Sequence, residues 1–186
     1  MTHIYLRAEF IKQFKDFYAK DVSRWVLHET ICISKRGDKC VEFAATDGQK
    51  LLVIRRPLDE EESMDDGQYI VQISNLPLKG KYLAYWLKIE GPEAVFNDAE
   101  NVYRFPLKQA NYPDYKKLIE QSRNCEKVKE YTMFRWENMK ALHSIFGDQM
   151  FNIPKQNGHA FLWSEENLNG TAKYVLICSH LLNTED

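Results

Sequence analysis

Neither sign of charge prevails in this chain of 186 residues: 25 Lys and Arg face 27 Asp and Glu, a net charge of −2. That balance excludes a uniformly basic nucleic-acid binder and leaves a polyanion only a local basic face to hold on to. Long apolar runs are missing as well. The longest, Tyr82 to Leu87, falls far short of the ~18 residues that cross a bilayer. Met1-Thr-His-Ile shows no basic stretch leading into an apolar one, so no signal peptide is expected. Cysteine is sparse. Cys32, Cys40, Cys125 and Cys178 form no Cys-x-x-Cys pair, and the five histidines stand singly, which argues against zinc. Reduced structural thiols in a cytoplasmic protein are the expectation. What the chain does have is 44% hydrophobic and 13% aromatic residues, enough for a substantial core and too much for disorder.

Hydrophobic spacing divides the rest into recurring units. After a short strand at His3 to Leu6, Phe10, Ile11, Phe14, Phe17 and Tyr18 recur at helical spacing and predict a helix from about Ala8 to Lys20. Its opposite face carries Lys12, Lys15, Asp16 and Lys20, either a solvated surface or a lysine-bearing face turned toward phosphate. Trp25 to Ser34, Lys39 to Ala45 and Lys50 to Arg56 read as three antiparallel strands, with turns at Arg36-Gly37-Asp38 and Thr46-Asp47-Gly48. Asp59 to Asp66 packs six carboxylates into eight residues and reads as a solvated connection. It lacks the spacing of a calcium loop.

The pattern then repeats. Tyr69 to Ile73 is a strand, Ser74 to Gly80 leaves room for only a truncated helix, and Tyr82 to Ile89, Ala94 to Phe96 and Val102 to Leu107 are three more strands. Lys116 to Asn124 is polar enough for an interdomain segment. A third copy follows: a strand at Glu130 to Phe134, a helix from about Glu137 stopped by Gly147-Asp148, and strands at Phe151 to Pro154, His159 to Ser164 and Lys173 to Cys178. Asn157-Gly158 and Asn169-Gly170 are the turns between them. Three units, at about 1–58, 67–120 and 127–182, make one full αβ domain and half of another. The fold class is α+β, with antiparallel sheets and helices on one face.

Two short strings carry a resemblance. Ala45-Thr46-Asp47-Gly48-Gln49-Lys50-Leu51 resembles the Ala-Thr-Asp-Gly-His-Arg-Leu signature of the bacterial DNA polymerase III β subunit, the β sliding clamp, with Gln49-Lys50 in place of His-Arg. Tyr112-Pro113-Asp114-Tyr115 is similar to that family's Phe-Pro-Asp-Tyr, and Ala172 to Ile177 is similar to its last strand. Residues 1–120 resemble a clamp middle domain and 127–186 the second half of its third domain. The clamp's first domain and the first half of its third have no counterpart.

The resemblance implies a non-enzymatic DNA-replication protein, a processivity factor without metal or cofactor. It would bind short apolar-ended peptides of a DNA polymerase or other replication partners, and double-stranded DNA without sequence specificity. For the peptide it implies a cleft of Thr46, Gly48, Gln49, Lys50, Leu51, Pro113, Leu118, Val175 and Ile177. Gly48 would let a partner backbone approach, while the aliphatic side chains would line a socket for Leu or Phe. Read from pattern alone, those aliphatics are core residues joining the half-domain to the full one. For DNA it implies Lys12, Lys15, Lys20 and Arg24 in the first unit and Lys140 and His143 in the third. A clamp mimic that competes for clamp-seeking peptides without encircling DNA is the alternative. Catalysis finds no support, since no Gly-x-Ser-x-Gly elbow, phosphate loop, Rossmann fingerprint or His-Glu-x-x-His occurs. The odd half-domain would be completed by a second copy, giving a homodimer or a higher ring, or be shielded by the tail His180 to Asp186.

Overall fold

A computed structural model describes residues 1–80, 82–123, 134–148 and 160–178. Strand β1 (His3–Arg7) leads into helix α1 (Ala8–Lys12), which tightens into a 3-10 turn over Gln13–Asp16. Strands β2 (Thr30–Lys35), β3 (Cys40–Thr46), β4 (Lys50–Pro57), β5 (Gln68–Gln72), β6 (Ala84–Glu90), β7 (Glu93–Asn97) and β8 (Val102–Pro106) follow, then helices α2 (Tyr115–Arg123) and α3 (Trp136–Phe146) and strands β9 (Ala160–Glu166) and β10 (Ala172–Cys178). The strands form two antiparallel sheets, β1-β6-β7-β8 and β5-β2-β3-β4-β10-β9. β1 and β5 each leave the meander that follows them in sequence and pair with the other one. That exchange ties the first two units together.

The period-two alternation of the strands decides what faces what. On one face of the six-stranded sheet, Ile31, Ile33, Val41, Phe43, Leu52 and Ile54 pack against Ile4, Leu6, Tyr85, Leu87 and Phe96 of the four-stranded sheet. Ile11, Phe14 and Phe17 join that core, and beside them so do Leu142, Ile145 and Phe146 of α3, over Val175 and Ile177 of β10. The opposite face gathers Cys32, Ala44, Leu51, Val53, Ile70, Leu162 and Leu176 beneath Tyr112 and Tyr115.

Several expectations are corrected here. The helix expected to reach Lys20 ends as α-helix at Lys12. The buried residues Ala8, Ile11, Phe14 and Phe17 are spaced by three, and 3-10 winding stacks residues i and i+3 on one side where α-winding would rotate them away. Trp25 to Leu27 is a turn, because Asp21 accepts from the Ser23 N–H (2.9 Å) to start a second 3-10 turn at Val22–Arg24 and Glu29 then takes φ 53°. The polar segment after residue 115 is helix α2. Its Tyr115, Ile119 and Ser122, at i, i+4 and i+7, turn inward. It covers the sheet face opposite α1 and α3, so the helices do not share one face.

The acidic segment 59–66 is not merely solvated. The side chain of Glu62 is buried and bound bidentately by Arg56 at 2.6 Å and 2.6 Å. The Tyr5 and Asp59 N–H groups also donate to it (2.7 and 2.8 Å), and His3 exchanges two backbone hydrogen bonds with Ser63. The segment thereby covers the free edge of β1. Cys32, Cys40 and Cys178 are free, and burial pushes the Cys32 thiol up to about 12. Among the described residues no helix is long and apolar enough to cross a membrane. Of the strand expected at Glu130 to Phe134 all but Phe134 lies outside the described residues, as do the strand expected at 151–154, Cys125, the turn at 157–158 and the tail 180–186.

Candidate functional site

The turn between β3 and β4 is built from its own side chains. Thr46 Oγ1 donates to the Lys50 carbonyl (2.7 Å) and accepts from the Gly48 N–H (3.0 Å). Asp47 Oδ1 accepts from the Gln49 and Lys50 N–H groups (2.9 Å each), and its other oxygen pairs with the Lys50 ammonium. Asp and Gly are what such a turn requires: one to imitate backbone acceptors, the other to take φ +89°. A Cβ on Gly48 would stand 2.8 Å from an Arg24 guanidinium nitrogen that can swing aside. The cost of Gly48→Ala is therefore mostly backbone, about 1–2 kcal/mol. A urea denaturation curve that shows a smaller loss would mean that the turn relaxes to accept the new side chain.

This turn joins three elements. Arg24 donates to the Asp47 carbonyl, the Cys178 N–H at the end of β10 donates to the Gln49 carbonyl (2.8 Å), and Arg135 at the start of α3 reaches Gln49 Oε1 (3.4 Å). Trp25, next to Arg24, is 53% exposed, and its carbonyl accepts from Lys108. The turn, β10 and α3 thus meet at the junction where the cleft was expected.

The nine cleft residues do not form one socket. β10 pairs with β4 so that Leu176 lies opposite Leu51 and Val175 opposite Leu52. Opposite residues share a face. Leu51 therefore packs with Tyr112, Tyr115 and Leu176, while Val175 and Ile177 point through the other face into the core with α3. All three aliphatics are buried. Of the expected apolar wall only Pro113 and Leu118, the latter 46% exposed, meet solvent. The exposed Trp25 was missed, because Trp25-Val26-Leu27 reads as strand.

Of the six candidate DNA contacts, five share a side of the molecule. α1 with its 3-10 turn touches α3, and both cover the same face of the six-stranded sheet. Lys12 and Lys15, three apart, and Lys140 and His143 on α3 all project to solvent. Lys20 and Lys140 reach a cleft of about 460 Å³ shared with Asp16, Asp47, Lys50 and Glu137, so three carboxylates sit among three ammonium groups. His143 donates its Nδ1–H to the Gly147 carbonyl (2.8 Å), and its Nε2 lies 3.7 Å from Asp148. Arg24 is engaged at the turn, on the carbonyl of Asp47, whose side also lines that cleft. Across the sheet, the buried Glu42 is held by Arg55 (2.9 Å) and Tyr115 (2.9 Å), and burial pushes the Tyr115 phenol up.

No family model matches the chain, and no curated protein does. Solved structures do match. The DNA polymerase III β subunit of Borrelia burgdorferi, solved in complex with a natural product, covers 98% of this chain at a TM-score of 0.66 and 15% identity. The chain has the sliding-clamp fold. The β subunit of Pseudomonas aeruginosa covers 98% at 0.64 and 14% identity, and the sliding clamp of Bacillus subtilis covers 100% at 0.58 and 10% identity. The chain spans 65% of the Borrelia clamp, 67% of the Pseudomonas clamp and 66% of the Bacillus clamp.

Proposed function

We propose that the chain is a non-enzymatic, clamp-like protein of DNA replication that tethers a polymerase or another partner to duplex DNA. The observation that carries this reading is the side shared by α1 and α3, where Lys12, Lys15 and Lys140 reach solvent from two touching helices of a sliding-clamp fold. Each lysine that meets a phosphate releases counterions, and the contact reads no bases. In this reading residues 1–120 serve as a clamp middle domain and 127–186 as half of a third. Encircling DNA takes further half-domains, which a second copy supplies as a homodimer or ring. Partner peptides with an apolar end would dock beside the β3–β4 turn, where Trp25 is exposed, and toward Pro113 and Leu118, which are exposed as well.

Reversing Lys12, Lys15 and Lys140 to Glu should weaken binding to duplexes of any sequence. It should also reduce the slope of log affinity against log salt by about 0.9 for each phosphate left without its lysine. Fluorescence anisotropy with a labelled duplex at several salt concentrations measures both. A second reading has its own support. The carboxylates of Asp16, Asp47 and Glu137 among the lysines, and a net charge of −2, suit a mimic that binds clamp-seeking peptides and leaves DNA alone. A wild-type protein that ignores duplex DNA even at low salt decides for the mimic.

A further inference from the structure

The outer face of the four-stranded sheet carries a surface that neither the helices nor the β3–β4 turn uses. β1 and β6 pair with Tyr5 opposite Trp86 and His3 opposite Lys88, which puts Tyr5, His3 and Trp86 on the solvent side. The His3 ring stacks on Trp86 at 4.2 Å and 19°, and Tyr5 leans on it at 5.2 Å and 58°. The result is an aromatic ridge, partly open to solvent.

A cavity flanks the ridge on each side, and both are walled by Tyr5 and Trp86. The larger, about 760 Å³, continues past Tyr82 to Asn97 and Glu100, with Lys79 at its margin. The smaller, about 500 Å³, is otherwise walled only by Asp59, Glu60, Glu61 and Glu62. Glu62 is committed to Arg56. Asp59, Glu60 and Glu61 are exposed, and none has an ion-pair partner among the described residues. The Arg56–Glu62 pair and the Tyr5 N–H bond to Glu62 hold this acidic segment against the ridge, so the carboxylates are placed before any ligand arrives.

Electron-rich ring faces beside exposed, unpaired carboxylates suit a cation that also has apolar bulk. Two cavities separated by a ridge suit an extended segment lying across it rather than one compact molecule. We propose that this surface docks a basic peptide segment of a partner protein. Its Arg or Lys side chains lie along Tyr5 and Trp86, and their charged ends meet Asp59, Glu60 and Glu61. The complementarity is of charge and of shape together, and it is independent of the DNA-facing lysines on the helices.

Titration calorimetry of the whole chain with a peptide of alternating Arg and Ala, against its Gln-for-Arg counterpart, tests this. The Arg peptide should bind, more weakly as salt rises, and the Gln peptide should not. The pair Glu60→Lys and Glu61→Lys should lower affinity about tenfold or more, while Glu165→Lys with Glu166→Lys, the same charge change on β9, should leave it within about twofold. Trp86→Thr, which suits a strand, should lower affinity similarly with an unchanged circular dichroism spectrum. If that variant does not fold, the shift of the Trp86 indole N–H in the NMR spectrum of the wild-type protein on adding peptide takes its place. Equal losses in the two charge-reversed pairs, no binding by the wild-type protein, an unmoved indole, or spermine bound as tightly as the peptide each overturn the proposal.

Discussion

Arg56→Ala should lower the stability of the fold by about 3–5 kcal/mol, the loss seen when a buried ion pair is broken by removing one partner. The reason is what stays behind. The Glu62 side chain is 1% exposed, and without the guanidinium it keeps only the N–H groups of Tyr5 and Asp59 in a place water does not reach. Arg56 also donates to the Tyr5 and Pro57 carbonyls, so its loss loosens β1, β4 and the acidic segment together. The effect should depend on pH in a definite sense. Burial pushes the Glu62 carboxyl up, but the Arg56 hydrogen bonds and the Asp59 and Tyr5 N–H groups outweigh it and hold the pKa below its ordinary 4.5. A carboxyl depressed in the folded state contributes stability above its unfolded pKa and loses it as pH falls through the folded one. The gap between wild type and variant should therefore be full at neutral pH and should narrow below about pH 4.5. Urea midpoints across that range measure it. A constant gap would mean that packing by the arginine stem, not the ion pair, carries the effect.

The same pair shows where sequence reading stopped. Six carboxylates in eight residues look like solvated chain, and nothing local marks Glu62 as different from Glu60 or Glu61. Its partner Arg56 ends a neighbouring strand and its other ligand, Tyr5, is 57 residues away, so only the fold selects it. The strands were legible because alternation and turn residues are local signals. The strands expected for β3 through β8 and for β10 appear with ends shifted by one or two residues. The 3-10 turn was legible in principle: 8, 11, 14 and 17 are spaced by three, but Phe10 and Tyr18 filled in an α-helical stripe and hid it. α2 was not legible, since Tyr115 and Ile119 are too few to mark an apolar face until the second sheet face is known to need cover.

The cleft failed for a related reason. The two strings marked a junction, and the β3–β4 turn, β10 and α3 do meet there. Face is a different question. It depends on the register between β4 and β10, across a long separation in the chain, and a one-residue difference in register reverses every side chain. The local geometry of the β3–β4 turn, by contrast, followed from Thr46, Asp47 and Gly48 alone.

Leu51→Asp and Leu118→Asp should accordingly part company, although both place a carboxylate at a leucine expected to line the same socket. Leu51 is 3% exposed, packed with Tyr112, Tyr115 and Leu176. An aspartate there forfeits the leucine's packing and buries a carboxyl with no cation beside it, a loss of about 4 kcal/mol or more, enough to unfold a domain of ordinary stability. Leu118 is 46% exposed, at the margin of the inward face of α2, three residues from Tyr115 and four from Ser122. Its replacement should change stability by no more than about 0.5 kcal/mol. If peptides ending in an apolar Leu-Phe pair dock beside Pro113 and Leu118, Leu118→Asp should still cost about tenfold or more in affinity, since a charge would meet the peptide's apolar end. Thermal melts and calorimetric titration on the two variants separate the effects. A Leu51→Asp protein that melts like the wild type would overturn the pairing of β4 with β10. A Leu118→Asp protein that binds such a peptide unchanged would move the docking site away from α2, to the Trp25 side of the turn.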